Sequence, residues 1–60
     1  MVVKNLIIRE EQERLHLFNY EIANILKVSE STFGRMMRSE LPEEEQRRIV
    51  SLIREAVHDR

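Results

Sequence analysis

Sixty residues, 42% apolar and 35% charged, with no cysteine and a net charge of -1, leave few function classes open. The length fits one domain, taken as residues 1–60, with a small core. The composition is too apolar for disorder and too charged for a membrane span. Without cysteine there is no disulfide framework and no thiolate metal site, and His16 and His58 alone do not make a metal centre. Taken as an average, the charge argues against a nucleic-acid partner.

The start of the chain, Met1 to Ile8, is apolar only briefly before Arg9, Glu10 and Glu11. That is too short for a signal peptide or for a membrane helix of about 20 residues, so a cytoplasmic protein is expected. Val and Ile do not alternate with period two over any length, and one Gly and one Pro are too few for a turn-rich β protein. The expectation is an all-α chain, a compact bundle of about four short helices.

The first helix is predicted over Leu6 to Leu15, with Asn5 as its N-cap, Ile8 and Leu15 on one face, and Glu10–Arg14 as an i,i+4 ion pair. The second covers Asn19 to Leu26, where Ile22, Ile25 and Leu26 give a three-four apolar spacing and Ala23 lets another helix approach closely. Lys27-Val28-Ser29 interrupts the pattern. Ser29 is an N-cap for a third helix from Glu30 to Arg38. At about 100° per residue, Phe33, Met36 and Met37 gather on one side of it and Ser31, Arg35 and Arg38 on the other, with Thr32 and Gly34 between. The fourth starts with Pro42 as its first helical residue, places Glu43, Glu44 and Glu45 in the positive first turn, pairs Glu44 with Arg48, and carries the stripe Ile49, Leu52, Ile53 and Ala56. Val50 and Val57 fall at the edge of that stripe, where a partner subunit or the core itself would cover them.

Two short helices joined by three residues, with apolar Val28 sealing the turn, describe a helix-turn-helix over about residues 19–38. In such a unit the second helix lies in the DNA major groove, which calls for short polar side chains early and cations later. Ser31, Thr32, Arg35 and Arg38 meet that requirement. Local charge agrees: from Lys27 to Ser39 there are three cations against the single acid Glu30.

The stretch Asn19-Tyr20-Glu21-Ile22-Ala23-Asn24-Ile25-Leu26-Lys27-Val28-Ser29-Glu30-Ser31-Thr32-Phe33 resembles the lambda-repressor/Cro-type helix-turn-helix. Ile22-Ala23, then Lys27, Val28 and Ser29, occupy the family's apolar-Ala, turn, apolar and Ser places. With the tail Glu40 to Gln46, the chain is similar to small stand-alone regulators of bacterial phages and mobile elements. The resemblance implies double-stranded DNA as partner; one such module offers few contacts, so a homodimer is expected, and no cofactor or small-molecule ligand is evident. By position it implies that Asn19 and Tyr20 meet a phosphate, that Ser29, Glu30, Ser31, Thr32 and Arg35 face bases or phosphates, that Gly34 allows close backbone approach, and that Arg38 lies towards the far backbone. Two positions depart from the pattern: Lys27 stands where the turn usually has Gly, which puts a left-handed residue with a side chain there, and His16 also replaces a common Gly.

Catalysis has little support, because Ser29, Ser31, Ser39 and Ser51 have no evident His base. The acids Glu21, Glu30, Glu40 and Glu43 to Glu45 instead motivate an alternative: a protein-interaction module of the same fold, such as an antirepressor, an antitoxin or a recombination adaptor.

Overall fold

Four helices follow one another: α1 (Leu6–Arg14), α2 (Asn19–Leu26), α3 (Glu30–Met36) and α4 (Glu43–His58). They are those of a computed structural model, which describes residues 4–59; residues 1–3 and 60 of the expected domain lie outside that range. The protein is an all-helical bundle, as expected. The bounds of α2 match the sequence reading at both ends. Among the described residues no helix is long and apolar enough to cross a membrane.

Each helix gives its apolar face to one core. Ile8 of α1, Ile22 and Ala23 of α2, Phe33 of α3, Met37 just after it, and Ile49, Val50 and Ile53 of α4 are buried together. The long α4 packs against both α1 and α2, whereas α3 leans on α2. Phe33 and Met37 anchor α3 and Met36 is half-buried beside them, which leaves the opposite side of that helix outside the bundle.

Helix α4 sits rotated from the expected stripe. Val50 is 6% exposed and Val57 packs against the core, while Leu52 and Ala56 are left half-buried at the edge. Val50 is therefore not available as a dimer surface. Buried Gln46 explains the rotation, because it lies on the same face as Val50, Ile53 and Val57 and is drawn inward by hydrogen bonds. Pro42 is also displaced by one place. Its carbonyl accepts from the Gln46 N–H at 3.0 Å and its ψ is an extended 147°, so it is the N-cap rather than the first helical residue.

The turns use left-handed residues that are not glycine: Asn5 (φ 57°), His16 (φ 55°) and Lys27 (φ 60°). The two departures seen in the sequence thus coincide with strained backbone. At both, a pair of backbone bonds closes the preceding helix. Lys27 N–H donates to Asn24 O at 3.1 Å and Val28 N–H to Ala23 O at 3.0 Å; His16 N–H donates to Glu13 O at 3.2 Å and Leu17 N–H to Gln12 O at 3.0 Å. This is the Schellman arrangement, in which glycine avoids the Cβ clash. Lys27→Gly is expected to raise the melting temperature by about 4 °C, since relieving the clash recovers roughly 1 kcal/mol against the loss of chain entropy. Differential scanning calorimetry reads this directly.

Asn5 departs most from expectation. It precedes α1 but makes no side-chain cap. Its left-handed backbone turns the fully buried side chain across the molecule instead. There Nδ2 donates to Met37 O (3.3 Å) and Ser39 O (3.0 Å), while Oδ1 accepts from Leu41 N–H (2.7 Å). Glu40 accepts from the Asn5 N–H at 3.1 Å and from Gln46 Nε2 at 2.7 Å. Gln46 also donates to Leu41 O (2.8 Å) and accepts from Ile7 N–H (3.3 Å). The clamp explains why α3 stops at Met36 and not at Arg38: Asn5 captures the next carbonyls, and Arg38 N–H tightens onto Arg35 O at 3.2 Å.

Charge pairing also differs from the sequence reading. Arg14 pairs with Glu11 instead of Glu10, and Arg48 with Glu45 instead of Glu44, while Arg47 takes Glu43. The i,i+3 partner prevails at Arg14 because Glu11 faces the core and already meets Arg54 of α4. That arginine forks onto it with two 3.1 Å bonds, tying α1 to α4.

Candidate nucleic-acid interface

The candidate site is built on the outer side of α3. Glu30, Ser31, Thr32 and Arg35 are all exposed, one to each direction that Phe33 and Met36 leave free. Ser29 is fixed by its capping duty. Its Oγ accepts from the Thr32 N–H at 3.1 Å and donates to Thr32 Oγ1 at 2.9 Å. Both hydroxyls are thereby tied together at the start of α3, which holds Ser29 to its cap and fixes Thr32 on the exposed face. Arg38, expected as the last helical residue, lies in the turn after α3. Its carbonyl accepts from Lys4 Nζ at 2.8 Å, which brings a second cation to the end of the helix.

Cations divide by region. Among the described residues Arg14, Arg47, Arg48 and Arg54 each hold a glutamate, and all belong to α1 or α4. Glu45 is held below the usual carboxylate range by the Arg48 guanidinium, and the same pairing raises Arg48. By contrast Lys4, Arg9, Lys27, Arg35 and Arg38 form no ion pair among the described residues. Lys27, Arg35 and Arg38 lie in the turn, α3 and its exit, Lys4 touches Arg38, and Arg9 reaches the start of α2.

Asn19 and Tyr20 open α2. Asn19 Oδ1 accepts from Gln12 Nε2 at 2.7 Å and from Arg9 Nη1 at 3.3 Å, and Arg9 Nη1 also donates to Gln12 Oε1 at 2.8 Å. Because arginine can only donate, Arg9 draws both amide oxygens towards itself; Gln12 Nε2 is spent on Asn19, and Asn19 Nδ2 makes no hydrogen bond among the described residues. Asn19 Nδ2 and the remaining Arg9 N–H groups are thus unspent donors at the start of α2, the polarity a phosphate needs. Tyr20 is 55% exposed and stacks on Phe18, itself 64% exposed, with ring centroids 5.7 Å apart and planes 9° from parallel. Glu21 accepts from the Phe18 N–H at 2.8 Å, so this acid is engaged with the α2 entry.

Arg9, Gln12 and Phe18 are the residues that sequence reasoning passed over. Phe18 directly precedes Asn19, whereas Arg9 and Gln12 sit on a separate helix and reach Asn19 through the left-handed turn at His16. No family model, curated protein or solved structure matches this chain.

Proposed function

We propose that this protein binds double-stranded DNA sequence-specifically, as a transcription regulator, with α2 and α3 forming a helix-turn-helix and α3 entering the major groove. The supporting observation is how the cations divide: Arg14 of α1 and Arg47, Arg48 and Arg54 of α4 each hold a glutamate, while Lys27, Arg35 and Arg38, with Lys4 and Arg9 beside them, hold none among the described residues. In this reading Thr32, Ser31 and Arg35 meet base edges, Asn19 with Arg9 meets a phosphate, and Arg38 meets the far backbone. A module this small makes few contacts, so the protein acts as a homodimer on a two-fold site with half-sites about 34 Å apart.

Two measurements test it. With three to five phosphates neutralised per subunit, log K should fall with log salt at a slope of about -3 to -5 in a fluorescence anisotropy titration of an enriched duplex. A flat salt response sinks the reading. Arg35→Ala should lose about 1–3 kcal/mol of discrimination at one base pair while the melting temperature stays near the parent's. Equal weakening on all sequences would reassign Arg35 to the backbone.

The second reading is a protein-interaction module such as an antitoxin or recombination adaptor. The exposed Phe18–Tyr20 stack favours it, because aromatic rings dominate protein interfaces. A stoichiometric protein partner lost on Phe18→Ala, with no enriched DNA, would establish this reading over the first.

A further inference from the structure

The single glycine of the chain stands where the fold does not call for it. Three turn residues adopt the left-handed backbone that glycine relieves, and none of them is glycine. Gly34 instead lies inside α3 without a positive φ. A helix interior is where glycine is least stable relative to alanine. Nor does packing demand it: a Cβ built at Gly34 meets nothing within 4 Å. Of its neighbours one turn away, Glu30, Ser31 and Arg38 are exposed and Met37 is buried, so Gly34, itself half-buried, lies where the core side of α3 meets its outward side.

We infer that Gly34 is a specificity-determining contact that receives the methyl group of a thymine. The inference rests on the DNA reading above. In place of a side chain, a helical glycine presents its Cα–H sideways while its carbonyl lies along the helix axis, so the lateral surface it offers is apolar. The adjacent Glu30 carboxylate repels a phosphate and disfavours the sugar-phosphate strand there. On the major-groove edge the one apolar group is the thymine C5 methyl. The absent Cβ leaves a shallow dent in which that methyl rests against the backbone.

The experiment compares the intact protein with Gly34→Ala on a selected duplex in which each thymine in turn is replaced by deoxyuridine, which lacks only the methyl. For the intact protein, one position per half-site should lose about fourfold in affinity, the worth of one buried methyl. Gly34→Ala should bind the thymine duplex at least about fivefold more weakly, through overpacking, and should bind the deoxyuridine duplex at that position as well or better. Its melting temperature should rise by about 4–8 °C, so weakened binding is not unfolding. Equal binding of the two proteins, or an unchanged thymine preference in the variant, overturns the role of Gly34 while leaving the DNA reading standing. Failure of the intact protein to enrich any duplex overturns both.

Discussion

Asn5→Ala is expected to abolish cooperative folding near room temperature. The substitution removes three hydrogen bonds made by a fully buried side chain, leaving the buried Met37 O and the part-buried Ser39 O and Leu41 N–H short of partners. Each unmet buried group costs about 1–3 kcal/mol, and alanine tolerates the left-handed backbone at φ 57° less well than asparagine by roughly another 1 kcal/mol. The sum, about 4 kcal/mol or more, rivals the whole stability of a domain this size, on the order of 3–9 kcal/mol. Asn5→Asp separates the causes. It keeps the acceptor for Leu41 and the left-handed preference but cannot donate to the two carbonyls, and it sets a second carboxylate near Glu40. It too should be strongly destabilised, and Asn5→Gly, which loses the same three hydrogen bonds but carries no left-handed strain, should not rescue folding. Circular dichroism with urea titration distinguishes these outcomes; a near-native midpoint for Asn5→Ala would show that the clamp contributes little.

The second large effect lies at Glu11. The Arg54 and Arg14 guanidiniums beside it hold its carboxyl down at about 2, against an ordinary 4.5. A depressed folded value stabilises the fold wherever the carboxylate is ionised in both states, so the contribution is complete above about pH 5. It is lost as pH falls through the folded value near 2. The shift corresponds to about 3 kcal/mol, and the Glu11 side chain is only 5% exposed, so solvent screens it little. Glu11→Gln should therefore lower the melting temperature at pH 7 by about 10–15 °C and flatten the decline in stability between about pH 5 and 2. An unchanged acid profile in the variant would place the acid sensitivity elsewhere. Both arginines are more than half exposed, so no buried cation is stranded and the loss measures the link between α1 and α4.

What could be read from the sequence were features whose causes are local. Ser29 and Thr32 are three residues apart, and the cap they form is present. The end of α2 is fixed by Lys27 and Val28 folding back on Ala23 and Asn24. The apolar face of α3 follows from helical spacing alone. The residues misjudged are those whose partners are remote. Asn5 was legible as a helix-start residue, yet its bonds run to a segment 32 to 36 residues away. Glu10 looked the better mate for Arg14 until α4 supplied Arg54 to Glu11. The rotation of α4 turns on Gln46, a polar residue whose burial no hydropathy pattern announces.

The same division applies to the candidate site. Ser31, Thr32 and Arg35 were visible as an outward polar face because they share a helix with Phe33. Arg9 was not, because its meeting with Asn19 depends on the turn between α1 and α2. The net charge of -1 hid the distribution that matters: the acids concentrate where arginines already answer them, and the turn and face of α3 keep theirs unanswered. On the proposed reading, a protein of this charge would attract DNA weakly at long range, so its recognition would depend on a few placed contacts.

The most direct test of the central claim is selection of bound sequences from a random pool of duplex DNA, run with the intact protein and with a variant carrying Arg35→Ala and Arg38→Ala. The account predicts an enriched two-fold sequence with half-sites about 34 Å apart for the intact protein and loss of that enrichment in the variant. No enrichment by the intact protein, or the same sequence enriched by both, would contradict it.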